Sequence, residues 1–598
     1  MTTVGSLGLR VPPRSAAPAD YHLADIKAAD AWFGALPKTN LGEMARQVFG
    51  ALTQFNRVEL PDSHRIKVAE RFCTAVDYLV QNLQRHFLDT AFPLGEKAEQ
   101  VAALVRELDA GLAASYKIVI ERILGGIHEA DDQRHLTIAL NRAMRFLARS
   151  LYRAVLVYQP WPAGYWREMH AIFAFATKNG LAGQPVRERL DDGDSPAPTL
   201  DEWYRQAIVL AAAEPQRMRQ REMEAVFESG LRWGKSLVIS GAEDAEVRPT
   251  HRLIDLTADR EPLLVERLTE PAKSRFLLVD LGPLADALRA EVEKSGAAAP
   301  QQANKQLVGA MLRRLSDSWS QPVKRRFSRT RLVFELRVLV GLAAIHGELT
   351  SRRSPAPGVR QEPPHLTQDS VAYALAPLGL DLVANDPEVA GPKEQPITWK
   401  GEERPTPAAP SSSAVTVRTS NESAGGYCIE WYAHNAPRIR VGEVLGIQSV
   451  HEDMQFSIGL IRWIQHATRD SLRVGVELIA PQCRAANAYV GDLRAIRDRR
   501  ALKTEPALLL PAAPAAGRAA TVLLPTIKHK QDDLIWLFSE STDQLVRLGE
   551  LVDATGACSR FAIEVLQENA RGKPGKQGQP VSGAAEDRPD FDGLWSNL

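Results

Sequence analysis

The spacing of apolar residues changes along the chain, and that change limits the fold more than any other feature. As far as about Gly230 they recur near every 3.6 positions; past residue 412 they alternate. One chain must therefore hold helices that bury a stripe and strands that bury one face. With 598 residues it is also too long for one core, and roughly three to five domains are expected.

Residues 1–20 are rich in Pro, Ala and Ser and are expected to be disordered. Residues 21–236 read as an all-α domain. Its clearest helix carries Ile66, Val68, Phe72, Val76, Leu79, Val80 and Leu83, with Asp62 and Ser63 as N-cap candidates. A second carries Val101, Leu104, Val105, Leu108 and Leu112. A third runs from His135 to Tyr158, and others cover Trp166–Lys178 and Leu200–Gly230. Breaks fall at Pro61, Phe92–Gly95, Pro160–Pro162 and Asp191–Pro198. No fixed repeat is evident, so a bundle or an irregular stack of helical hairpins is expected. Arg142, Arg145, Arg149 and Arg153 share one helix face, and the expected state of such a face is solvated. Trp161 and Trp166 are expected to pack as a corner between helices.

Residues 237–320 form a small α/β segment, with strands at Leu237–Ile239, Leu253–Leu256 and Phe276–Leu281 and helices at Leu284–Lys294 and Asn304–Trp319. The basic run Lys324-Arg325-Arg326-Phe327-Ser328-Arg329 follows. Charges at Glu335 and Arg337 alternate with apolar residues, which favours a strand over Leu332–Val340; the Leu and Ala content up to Ile345 leaves a helix open. Residues 350–411, rich in Pro, Ser, Glu and Gln, read as a flexible insertion. Residues 413–480 alternate in five segments separated by turn residues, as a small antiparallel barrel requires. A short helix is expected over 484–499. Residues 501–567 form a further β-rich module, either a second small barrel or an extension of the first, and 568–598 a flexible tail.

Two stretches carry the chemistry. Arg325 and Arg329 lie four apart, and Asn421, Ser423 and Gly426 follow at N-x-S-x-x-G spacing. An arginine fork can bond two phosphate oxygens, or the O6 and N7 edge of guanine. Its plane can also stack on a purine. Asn421 and Ser423 put short polar groups on a turn, and Gly426 permits positive φ or close approach of backbone. Arg-x-x-x-Arg alone says little, because Arg145/Arg149 and Arg217/Arg221 repeat it on helices. The pairing of the two stretches, each adjoining β-patterned sequence, is the signal.

Together these motifs, with Gly459–Ile464 and Leu472–Leu478, resemble the PilZ domain, a bacterial receptor module for cyclic di-GMP. The resemblance covers about 321–346 and 412–500, and it requires a large insertion between the two motifs. It implies a PilZ-like β-barrel over 321–500 and cyclic di-GMP as ligand. It further implies contacts from Arg325, Arg329, Asn421, Ser423 and Gly426, with Lys324 and Arg326 adding positive field. The expected fold class is a multidomain α+β chain: a helical domain, a small α/β segment, the barrel and the further β-rich module.

Other chemistries are poorly supported. Lys and Arg total 73, as do Asp and Glu, so no global field draws the chain to nucleic acid or an anionic membrane. Cys73, Cys428, Cys483 and Cys558 are too scattered for a metal or disulfide framework. Gly230–Ser236 has one residue too few for a phosphate loop and follows a helix. His451 and His466 are isolated. With no long apolar run and no leader pattern at the N-terminus, a cytoplasmic protein is expected, without a transmembrane segment. The expected function is a non-enzymatic receptor that relays cyclic di-GMP binding to a protein partner through its helical domain or C-terminal tail. The alternative is a scaffold whose barrel binds no ligand.

Overall fold

A computed structural model describes residues 5–127, 129, 131–187, 196–242, 246–264, 275–296, 303–321, 328–351, 414–432, 437–450, 456–468, 470–491, 502–512, 519–525 and 529–570. The insertion expected at 350–411 falls almost wholly outside these residues. So do the tail beyond Ala570, His451, and Lys324 to Phe327.

The helical domain comprises α1 (Ile26–Gly34), α2 (Leu41–Phe55), α3 (Asp62–Leu83), α4 (Glu96–Leu124), α5 (Asp132–Val155) and α6 (Tyr165–Lys178). After the two-residue strands β1 (Val186–Arg187) and β2 (Pro196–Ala197) come α7 (Leu200–Ala212) and α8 (Gln220–Trp233). Among the described residues no helix is long and apolar enough to cross a membrane. Trp161 and Trp166 meet edge to face with ring centroids 5.7 Å apart, the corner expected.

Three expectations for this domain need correction. Residues 7–10 are not loose: the backbone N–H groups of Leu7 and Leu9 donate to the Glu121 carboxylate, and that of Arg10 donates to Glu168. Composition suggested disorder because it cannot register carboxylates waiting on helices far along the chain. Asp62 is no cap either. Its side chain turns inward, fully buried against Arg122, while the Glu129 carboxylate accepts from its N–H. Finally, the arginine face of α5 is not solvated. Arg142, Arg149 and Arg153 are buried and pair with Glu70 on α3 (2.9 Å), with Asp77 on α3 and Asp109 on α4 (2.6 and 2.8 Å), and with Asp109 (3.5 Å). Acids supplied by neighbouring helices make that face an internal seam.

A four-stranded sheet follows, ordered β3–β6–β4–β5, from β3 (Val238–Gly241), β4 (His251–Asp255), β5 (Leu263–Leu264) and β6 (Phe276–Asp280). Two helices, α9 (Gly282–Gly296) and α10 (Ala303–Ser320), then return to the helical domain. There the buried Trp319 indole donates to the Ala212 carbonyl (2.8 Å) and meets Trp233 edge to face.

The rest is two closed six-stranded antiparallel barrels. The first contains β7 (Glu335–Val340), β8 (Val415–Ser423), β9 (Gly426–Tyr432), β10 (Val444–Ser449), β11 (Ser457–Thr468) and β12 (Ser471–Ala480). They are ordered β10–β11–β12–β9–β8–β7, with β7 closing on β10. The second contains β13 (Arg484–Tyr489), β14 (Glu505–Leu510), β15 (Thr521–Pro525), β16 (Leu534–Phe538), β17 (Thr542–Ala554) and β18 (Cys558–Ala570). Residues 484–489, expected to open a helix, are thus a strand, and one that belongs to the second barrel rather than the first. Pairing on both sides, with β14 and β16, outweighs the helix preference of Arg484-Ala485-Ala486.

The strand and helix readings left open for 332–345 are both realised in succession, as β7 and then α11 (Leu342–Ser351). Leu342, Ile345 and Leu349 form one stripe of α11. They are buried with Ile458 and Leu460 of the first barrel and Leu508 and Leu523 of the second. Each such side chain contributes about 1.5–3 kcal/mol on burial. The interior of the first barrel, through Ile429, Trp431, Ile464 and Val474, is continuous with the core of the helical domain.

Candidate ligand-binding site

The two motifs are far apart in sequence, and backbone pairing brings their ends together. Before β7 the chain runs back along β8. Phe334 and Thr419 exchange hydrogen bonds, and the Thr419 hydroxyl donates to the Leu332 carbonyl (2.7 Å). Further out, Thr330 and Glu422 exchange both backbone bonds at 2.9 Å. In an antiparallel pair this register sets Arg329 across from Ser423 and Arg331 across from Asn421, all four on one face. A β-bulge between Thr419 and Asn421 makes that face the outer one. Before the bulge, Thr419 pairs with the inward, buried Ile429; after it, Asn421 pairs with Cys428.

Arg329 and Arg331 are exposed, Asn421 and Ser423 half-buried. Among the described residues the side chains of Arg329, Arg331 and Asn421 make no hydrogen bond. The Ser423 hydroxyl sits 3.3 Å from the Gly426 carbonyl across the turn. Lys324, Arg325 and Arg326 lie outside the described residues, so the arginine half of the site is represented by Arg329. Arg331 was not anticipated, because Arg-x-x-x-Arg spacing does not contain it. The two-residue period from Arg329 would have pointed to it, had the segment been read as strand.

Gly426 has a positive φ of +149°, and a Cβ there would stand 1.9 Å from the Val476 carbonyl oxygen. Only glycine lets the turn sit on β12, where Leu478 N–H donates to the Gly425 carbonyl at 3.0 Å. The outer face continues across the sheet in one row: Asn421, Cys428, Gly475, Trp463. Gly475 is overlain by the half-buried Trp463 indole, whose Nε1 would lie 1.8 Å from any Cβ placed there. The indole therefore reaches back over β12 toward Asn421, with the buried Cys428 of β9 in the row between them. On the inner side Phe334 and Tyr427 meet edge to face (6.0 Å), and burial pushes the Tyr427 phenol up. That contact ties the linker to β9.

Residues 252–371 and 382–485 match the family model described as the middle PilZ domain of the cyclic-di-GMP receptor FimW. The chain contains a PilZ domain. On either side of the PilZ barrel, residues 27–245 match the N-terminal domain of the same receptor and 493–566 its C-terminal beta-barrel domain. A protein of Pseudomonas aeruginosa PAO1 named cyclic-di-GMP receptor FimW is 28% identical over 617 aligned positions, covering 99% of each chain. No solved structure matches.

The PilZ barrel is also fastened to the helical domain. Ile439 and Phe92 exchange backbone bonds (2.7 and 2.8 Å), Arg219 donates to the Val441 carbonyl (2.9 Å), and His466 N–H to the Tyr158 carbonyl (3.0 Å). Glu443 lies beside these contacts, and burial pushes its carboxyl up against the pull of Arg219 and Arg440.

Proposed function

We infer that the PilZ barrel binds cyclic di-GMP on its outer face, between the arginine linker and the Asn421–Gly426 turn, and that the helical domain relays the bound state to a protein partner in the cytoplasm. The observation that carries this reading is the reciprocal Thr330–Glu422 pair, which puts Arg329 beside Ser423 despite the insertion between them. Arg325, Arg329 and Arg331 would grip phosphates or guanine edges, Asn421 and Ser423 would bond a base or phosphate, and Trp463 offers a face for stacking. Lys324 and Arg326 would add field. The relay has a mechanical basis. The linker leaves α10, whose Trp319 is locked into the helical domain, and ends on β8. A dinucleotide that gathers the linker's arginines therefore pulls between two anchored points, and can shift helices and barrel against each other. The chemistry is that of a receptor rather than an enzyme.

Calorimetric titration of the full chain with cyclic di-GMP tests the reading. Saturable heat is expected, with Arg325→Ala and Arg329→Ala each weakening binding by about 1–3 kcal/mol, the value of one bidentate contact. Absence of saturable heat would leave the barrel as a scaffold. Unchanged affinity in both variants would move the ligand elsewhere.

A further inference from the structure

The Asn421–Gly426 turn is connected to the second barrel by a short run of side chains. Gly426 is paired with Glu477 on β12, so the turn rests on that residue's backbone. The Glu477 carboxylate accepts from Arg462 Nε at 2.6 Å, and Arg462 Nη2 donates to Asp553 at 2.6 Å. Asp553 lies near the end of β17, in the other barrel. Arg462 can reach it because it is the extra residue of a β-bulge: Ile461 pairs with Val476 and Trp463 with Gly475, which leaves position 462 unpaired. Bulges re-aim side chains in this way.

The hairpin that carries Asp553 is wedged in place. Two residues on, the Thr555 hydroxyl donates to the Gly442 carbonyl at 2.7 Å. Gly442 has φ +82°, and a Cβ there would stand 2.5 Å from that threonine's Cβ. Gly442 N–H in turn donates to the Ile461 carbonyl at 2.7 Å, beside Arg462. The second barrel thus contacts the PilZ barrel at the bulge residue itself and at Gly442, which is bonded to Ile461 beside it, and that bulge is one ion pair away from the turn.

We propose that Arg462 is a positioning residue of the ligand site, and that Asp553 makes the second barrel part of that site's scaffold. This rests on the reading that the turn binds cyclic di-GMP. Arginine stays charged at all accessible pH and can hold two carboxylates in a fixed fork, so it keeps Glu477, and the β12 backbone under Gly426, in one position. Coupling is reciprocal: if Asp553 favours the seated turn, a ligand that seats the turn tightens the contact with Asp553.

The test measures cyclic di-GMP affinity, dissociation rate and amide hydrogen exchange in the full chain and in Asp553→Asn, Asp553→Glu and Glu477→Gln. In wild type, ligand should slow exchange at 421–426 and also at 552–558. Asp553→Asn should keep the first effect, lose the second, and bind about three- to tenfold more weakly, mostly through faster dissociation. Asp553→Glu should recover most of both. Glu477→Gln should uncouple the two regions in the same way, a second route should the Asp553 variant fold poorly. Ligand binding to wild type without change at 552–558 would overturn the proposal, as would wild-type behaviour of both uncoupling variants. No protection at 421–426 in wild type would show instead that the site reading is wrong, and the coupling falls with it.

Discussion

Replacing Gly426 by alanine tests whether the turn must sit on β12 for the site to exist. The added methyl would stand 1.9 Å from the Val476 oxygen, where an ordinary C···O contact is about 3.3 Å, so turn and strand must separate by about 1.4 Å. The positive φ costs an L-residue about 1–3 kcal/mol. Separation also sacrifices the Leu478 N–H bond to the Gly425 carbonyl, now 3.0 Å, which is worth about 1 kcal/mol. The seated turn should therefore lose about 2–4 kcal/mol. Since 1.4 kcal/mol is tenfold, cyclic di-GMP affinity should fall at least tenfold. Titration calorimetry reads the affinity, and amide exchange at Leu478 reads the seating. Substitution of the exposed neighbour Ala424 by serine should change neither. Wild-type affinity in Gly426→Ala together with fast exchange at Leu478 would refute the reasoning, because binding would then survive an unseated turn.

Arg331→Ala should weaken the dinucleotide by about 1.5–3 kcal/mol, the value of one hydrogen bond to a charged group; an unchanged calorimetric affinity would remove Arg331 from the site. Arg149→Met strands the fully buried Asp109, leaving it only the Arg153 contact at 3.5 Å, and should cost the helical domain about 3 kcal/mol. Adding Asp109→Leu should restore most of that loss in denaturant unfolding, and a further loss would contradict the pairing. Burial pushes the Asp62 carboxyl from 3.8 up to about 6, against the pull of Arg122. The folded chain then holds that proton more tightly than the unfolded one, so this contribution is full below about pH 4 and is lost as pH rises through 6. The melting temperature of wild type minus that of Asp62→Asn should fall across this window, and a flat difference would rule the shift out.

The fold was legible where a pattern is local. Period 3.6 marked α3, α4 and α5, and alternation marked β9, β11 and β12. Where partners decide, it was not. The face of α5 read as solvated because Glu70, Asp77 and Asp109 lie on other helices. Residues 7–10 read as loose because Glu121 and Glu168 lie far along the chain. Arg484-Ala485-Ala486 read as helix because nothing local announces the strands on either side. At the site, the Asn421–Gly426 turn could be read directly, since glycine and short polar residues announce a turn. Trp463 and Arg462 could not, because their relation to that turn depends on a register across strands and on two bulges, and Arg331 was reachable only by taking its segment as extended alongside that turn.

By itself the sequence determined the residue types at the two motifs, the order of helical and β-patterned units, and the balanced charge that keeps any anion site local. Those properties follow from side-chain chemistry and from short-range periodicity. Only the tertiary structure decided that Thr330 pairs with Glu422, that the outer face carries Asn421 and Trp463 in one row, and that a second closed barrel leans on the first through Arg462. Pairing and burial are satisfied by residues tens to hundreds of positions away, and no local pattern encodes which distant partner a strand or a carboxylate will meet.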